Sequence, residues 1–164
     1  MIFDIKSNCK ITPFVKQLNQ DEIVRLNIDK KNGWQLPWKD EPFYNDCIVY
    51  GLFANPMSNQ AQGLVAFIPH VGSLEMFQLE SASHNRYPVS NRVYKGVGKY
   101  LTAFGCNLSK EMSGTEGFLR ACAKPNARGF YQDINAIEIE SDLWLIEPSV
   151  GDQLIKDYLL GGGV

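Results

Sequence analysis

Gly96 and Gly98, in the stretch Asn91-Arg92-Val93-Tyr94-Lys95-Gly96-Val97-Gly98, are the residues whose type and spacing say most about chemistry. Glycines at the mouth of a helix let backbone approach a ligand, and the amide N–H groups of a helix start attract phosphate. Two better-known phosphate loops do not fit. A dinucleotide fingerprint needs a third small residue where Leu101 stands. A Walker loop needs glycine at Val93 and a hydroxyl residue at Tyr100. Arg86, Arg92, Lys95 and Lys99 cluster around the glycines, a concentration that a small anionic ligand would explain.

Other chemistry is thinly supplied. Cys9, Cys47, Cys106 and Cys122 are scattered among apolar neighbours without a C-x-x-C pair, and are expected to be small reduced hydrophobes. His70 and His84 stand apart from one another and from cysteine, so no metal is expected. The formal net charge of −2 lacks the basic excess of a nucleic-acid binder. With 164 residues, 45% of them hydrophobic, the chain suits one folded domain. No apolar run is long enough to span a bilayer. The first residues lack the basic start and apolar stretch of a signal peptide, so a cytoplasmic protein is expected.

The elements that must position the glycine loop can be read in turn. Residues 1–9 read as a strand, and Thr12-Pro13 as the cap and first turn of a helix. Asn19 with Glu22 makes a capping box for a second helix to about Lys31, stopped by Gly33. Trp34 and Trp38 fall in a proline-held loop that either lines an acceptor pocket or closes one end of the core. Residues 47–53 and 63–68 read as a hairpin around Asn55-Pro56, and Ser73–Ser81 as a further strand. Beyond the glycines, Val97, Leu101, Phe104, Leu108 and Met112 trace one helical face, in which Gly105 implies close packing. Residues 117–123 read as a strand, and Pro125 to Tyr131 as a short helix stopped near Asn135. A hairpin turns at Glu140-Ser141-Asp142, then Leu154, Ile155, Tyr158 and Leu159 form a last amphipathic piece before a glycine tail. The order makes one mixed, mostly antiparallel sheet covered by helices, parallel only around the glycine loop.

At this point the chain resembles the GNAT superfamily of N-acetyltransferases. The element order matches over nearly the full length, most densely from about Leu79 to Ala136. Gly96 and Gly98 match the small positions of the family's loop [Q/R]-x-x-G-x-[G/A]; Val93 stands at its basic or amide position, with Arg92 one place early. Leu79-Glu80-Ser81-Ala82 and then Asn85-Arg86 resemble a bacterial subgroup with L-E-x-A-P-x-N-R, with Ser83 replacing the proline. Pro125 to Tyr131 resembles the A-x-x-F-Y helix, and Asn135-Ala136 takes the place of G-F or G-A.

The resemblance implies an α+β, acyl-CoA N-acyltransferase fold, with one domain over 1–160 and a flexible tail at 161–164. It implies acetyl-CoA as co-substrate, without metal, and direct transfer to a small-molecule or peptide amine in a ternary complex. Backbone from Leu79 through Ser81 to Ala82 would hold pantetheine and the thioester. Arg92, Lys95, Gly96, Val97, Gly98 and Lys99 would cradle the pyrophosphate, and Asn126 would also contact the cofactor. Glu80 is a candidate general base or else a loop-anchoring carboxylate, with Glu75 a weaker candidate base. Tyr131 would stand beside the departing sulfur, or else simply pack with Phe130. Cys122 as an acyl carrier is set aside in favour of a buried cysteine. Two copies could pair through sheet edges, and nucleic acid is not favoured as a partner. Acetylation of aminoacyl-tRNA, as in small toxins of the superfamily, and a non-catalytic acyl-CoA-binding or interaction module are the alternatives.

Overall fold

A computed structural model describes residues 1–40, 46–88 and 90–161. Its strands are β1 (Ile2–Asp4), β2 (Cys9–Ile11), β3 (Phe14–Leu18), β4 (Ile48–Phe53), β5 (Ala61–His70), β6 (Ser73–Ser81), β7 (Tyr94–Lys95), β8 (Leu119–Cys122), β9 (Ile137–Glu140) and β10 (Leu143–Ile146). Its α-helices are α1 (Gln20–Arg25), α2 (Val97–Glu111), α3 (Arg128–Asp133) and α4 (Pro148–Leu154). Contacts group the chain into two compact units, one of Met1–Ala66 with Gln78–Leu101, the other of Phe67–Phe77 with Thr102–Val164. The expected single domain over 1–160 is not decided by this grouping. The expected glycine tail falls mostly outside the described residues.

In the first unit the strands run β3–β4–β5–β6, beside a small sheet ordered β2–β1–β7. β3 corrects the helical turn expected at Thr12-Pro13. Phe14 to Leu18 pair antiparallel with Phe53 to Val49 over five residues, and this ladder outweighs a local capping signal. The expected first strand is likewise a hairpin of β1 and β2, turned at Asn8 with φ of 53°. Asn19 caps α1 as a full capping box with Glu22, but the helix ends at Arg25, followed by a 3-10 turn at Lys30–Asn32. Gly33, at φ 86°, stops that turn. Trp34 and Trp38 are buried in a core with Leu18, Ile23, Ile28, Val49 and Leu64, so they close the core of this unit.

In the second unit the order is β5–β6–β8–β10–β9, the long strands β5 and β6 contributing to both units. β6 and β8 pair in parallel at Leu74↔Leu119 and Glu75↔Arg120, whereas β8, β10 and β9 pair antiparallel. The sheet is therefore mixed, with its parallel step across the strand–loop–helix–strand connection, as expected. Val97 and Leu101 are buried as expected, but further along α2 the Cys106 and Ser109 side is buried while Phe104, Leu108 and Met112 are only half-buried, a correction to the rest of the expected apolar face. Gly105 accounts for it. A Cβ there would lie 2.6 Å from Phe67 and 3.3 Å from Leu119, so around Gly105 the helix packs through small residues, which hydrophobic periodicity does not register. Asn135 is left-handed (φ 59°), as expected of the residue ending α3, and Asp142 (φ 64°) turns the β9–β10 hairpin. α4 starts at Pro148, earlier than the amphipathic pattern indicates.

Candidate active site

The glycine loop lies in the first unit and is held from two sides. β7 pairs with β1 at Phe3↔Lys95 and Asp4↔Tyr94, and Ile5 N–H donates to the Val93 carbonyl at 3.0 Å. On its other side Val93 N–H donates to the His84 carbonyl at 3.1 Å, and Tyr94 N–H to Asn85 Oδ1 at 2.9 Å. Gly96 then takes φ 86°, a conformation costly for a residue with a Cβ. Tyr100 N–H closes the first turn of α2 on the Gly96 carbonyl at 2.8 Å. Backbone from Gly96 to Lys99 is thereby fixed at the positive end of a 15-residue helix. Gly63 on β5 seats that end, since a Cβ there would lie 2.5 Å from Val97 and 3.0 Å from Leu101. The Arg92 guanidinium lies 5.6 Å from the centre of the Tyr87 ring. Lys95 is exposed.

Leu79, Glu80, Ser81 and Ala82 end β6 in the same unit. Ala82 N–H donates to the Gln62 carbonyl at 3.0 Å, so by strand alternation the amides of Leu79 and Ser81 point away from β5. The Ser81 carbonyl accepts from Arg86 Nε at 3.0 Å. Glu80 is buried and accepts hydrogen bonds from Gln35 N–H (2.7 Å), Leu36 N–H (3.1 Å), Trp38 Nε1–H (2.7 Å) and the Arg86 guanidinium. Of the two roles open to Glu80, these contacts are those of the loop anchor. His84 shares Gln62 Oε1 with Asn85, and burial holds its imidazole below the ordinary range.

Tyr131, Asn126, Cys122 and Glu75 belong to the second unit. Tyr131 is buried, stacked on Trp144 with centroids 5.6 Å apart and edge-on to Phe130 at 5.2 Å. Burial, with a lesser effect from Cys122, pushes its phenol up to about 12. Trp144 Nε1, beside it, is buried without a hydrogen-bond partner among the described residues. Asn126 is exposed in the 3-10 turn before α3. Cys106 is buried, whereas Cys9 is exposed and so is Cys122, against the expectation that Cys122 is buried. Cys122 ends β8 with its side chain on the face opposite Ala121. Glu75 accepts from Arg120 at 2.9 Å, an ion pair, with His70 Nε2 2.7 Å away.

Sequence reasoning passed over Gln62, Gly63 and the work of Asn85. Asn85 stood inside the quoted motif, but its bond to an amide nine residues on has no local signature. Among the described residues no group of His, Cys, Asp and Glu could hold a metal, and no helix is long and apolar enough to cross a membrane.

No protein-family model and no curated protein matches this chain. Solved structures do. AtaTR bound with acetyl-CoA is 14% identical, with a TM-score of 0.62 over 87% of this chain and 98% of that one. AtaT complexed with acetyl-methionyl-tRNAfMet is 12% identical, with a TM-score of 0.56 over 88% and 99%. A protein of Desulfovibrio desulfuricans, described as an acetyltransferase of the GNAT family, is 10% identical, with a TM-score of 0.55 over 84% and 99%. At such identities the likeness is one of fold. With its mixed sheet, its parallel step and a glycine turn opening the helix between, the chain has the GNAT acyl-CoA N-acyltransferase fold.

Proposed function

We propose that this protein transfers the acetyl group of acetyl-CoA to an amine through a ternary complex. The observation that carries this reading is the glycine turn at Gly96, locked by β1 and Asn85 at the mouth of α2, on a fold whose solved examples include one bound with acetyl-CoA. Amides from Val97 to Lys99 receive the pyrophosphate, assisted by Lys95. Leu79 and Ser81, whose amides point away from β5, receive pantetheine as an added strand would be received. Arg92, drawn over Tyr87, is left at the margin of the pyrophosphate, and Asn126 keeps the cofactor-contacting role that the family resemblance implies.

In the reaction the amine nitrogen attacks the thioester carbonyl, the C–S bond breaks, and coenzyme A leaves as its thiolate. A lysine-like amine near pKa 10.4 loses its proton first, a handicap of roughly 4–5 kcal/mol at pH 7. Glu80 already accepts four donors, so in this reading it anchors and the proton passes to water. Tyr131, near 12, stays protonated at neutral pH. Handing its proton to a thiolate of ordinary pKa near 8.5 is uphill by about 5 kcal/mol. Its part is hydrogen-bond donation to the sulfur.

A second acceptor class is favoured by particular observations. AtaT is seen with an acetylated aminoacyl-tRNA, and here the register of the small sheet sets Lys10 and Lys95 on either side of Phe3, on one face. Two cations flanking an aromatic ring beside the glycine loop suit phosphate and base. The amine of an aminoacyl-tRNA is then the substrate.

Calorimetry with acetyl-CoA tests the first claim: wild type binds at micromolar concentration and Gly98→Asp, which sets charge against the pyrophosphate, does not. A folded wild type that fails to bind overturns the enzyme and leaves an interaction module. Radiolabelled acetyl transfer, offered aminoacylated tRNA beside a panel of small amines and peptides, separates the acceptor classes.

A further inference from the structure

We propose that the turn from Ser83 to Arg86 is a two-armed positioning element, Asn85 setting the glycine loop and Arg86 setting the loop of Trp34 and Trp38. The proposal rests on the acetyl-CoA reading and gives its site a mechanical frame. The two arms leave neighbouring residues of one short 3-10 turn, Ser83–Asn85, whose amide Asn85 N–H bonds back to Ala82 O at 2.8 Å.

The Asn85 arm reaches forward. Its carboxamide is buried, and its Nδ2 donates to Gln62 Oε1 at 2.9 Å and to the Gln62 carbonyl at 3.2 Å. These bonds fix the amide so that Oδ1 faces Tyr94 N–H at 2.9 Å, two residues before Gly96. Gln62 itself receives Ala82 N–H. The strand end assigned to pantetheine and the loop assigned to pyrophosphate are thus referred to the same residue of β5. Buried polar groups that are all paired hold one geometry, because any other leaves a donor or acceptor unsatisfied.

The Arg86 arm reaches back. Its guanidinium donates to Ser81 O (3.0 Å), Gly33 O (2.7 Å) and Glu80. Glu80 in turn collects Gln35 N–H, Leu36 N–H and Trp38 Nε1–H. Gly33 lies tight against the turn, since a Cβ there would meet Ser83 Oγ at 2.8 Å. The planar fork suits three fixed acceptors in a way a lysine ammonium would not. Both arms act through backbone, so Asn85 and Arg86 are positioning residues and take no part in bond making.

The test uses the full chain. Asn85→Ala is expected to raise the Kd for acetyl-CoA about tenfold, the worth of the one hydrogen bond of its three that reaches the glycine loop. Amide exchange at Tyr94 is expected to quicken, while the indole N–H resonance of Trp38 stays put. Arg86→Gln is expected to move that indole resonance. Global destabilisation alone does not weaken binding by a protein that remains folded, so these readouts report position. Gln62→Met, which keeps volume and removes the acceptor, is expected to weaken acetyl-CoA in the same direction by about threefold, and serves if Asn85→Ala does not fold. Unchanged acetyl-CoA affinity in both Asn85→Ala and Gln62→Met, or an unmoved Trp38 resonance in Arg86→Gln, overturns the proposal. Failure of wild type to bind acetyl-CoA instead overturns the enzyme reading. In that case the Tyr94 and Trp38 readouts still decide whether the turn positions the two loops.

Discussion

Glu80→Gln separates anchor from base. The wild-type carboxylate divides its four donors evenly: Gln35 N–H and Arg86 meet Oε1, Leu36 N–H and Trp38 Nε1–H meet Oε2. A glutamine has the same shape, but whichever way its amide turns, the NH2 group faces two donors. Two charge-assisted hydrogen bonds are lost, each worth about 1.5–3 kcal/mol, and the neighbouring guanidinium loses its counter-charge. We expect a loss of about 3–5 kcal/mol, which for a chain of 164 residues lowers Tm by about 10 °C. Urea unfolding reads this directly, as a lower midpoint at unchanged slope. Trp38 fluorescence follows the loop that Glu80 holds. If Glu80→Gln unfolds at the wild-type midpoint yet turns over acetyl-CoA at a small fraction of the wild-type rate, the anchoring argument is wrong and Glu80 is the base.

Three further expectations come from other parts of the structure. Tyr131→Phe should lower kcat by about 100–1,000-fold with acetyl-CoA Kd unchanged, the range of one donor to a developing charge; equal turnover in single-turnover assays removes the phenol from the chemistry. Gly105→Ala should destabilise by about 1–2 kcal/mol in urea despite better helix propensity, because its Cβ meets the buried Phe67 ring at 2.6 Å; a stabilised variant would refute the packing. Burial raises Cys106 and Tyr131 to about 12 in the folded protein, so their contribution is complete below the unfolded values near 9 and 10 and drains away as pH rises toward 12. Stability should therefore fall above pH 9 by about 1 kcal/mol per pH unit from Cys106 alone, and Cys106→Ala should flatten that first part of the decline in urea unfolding at stepped pH.

Elements specified by local chemistry were legible in the chain. The Asn19–Glu22 capping box, the strand Ser73–Ser81, the left-handed Asn135 and the glycine opening of α2 each depend on a few adjacent residues, and each is found where it was read. One strand decided by a distant partner was not legible. Phe14 to Leu18 carry a helix-start signal in front of them and become β3 because β4 offers a full ladder. The buried side of α2 was also hidden, since Gly105 and its small neighbours contribute packing through closeness rather than through apolar area.

The same division runs through the candidate site. Gly96 was legible because a positive φ before a helix is a local demand that few residues meet. What Glu80 does could not be read from its neighbours in the chain. Three of its four donors come from residues 35 to 38, more than forty positions away, and only the folded chain brings them to one carboxylate. Asn85 is the converse case: a residue visible in a motif whose purpose appears only when Tyr94 N–H and Gln62 are found on either side of its amide. A hydrogen bond between side chain and distant backbone leaves no period and no propensity in the sequence. Tertiary structure alone assigns it.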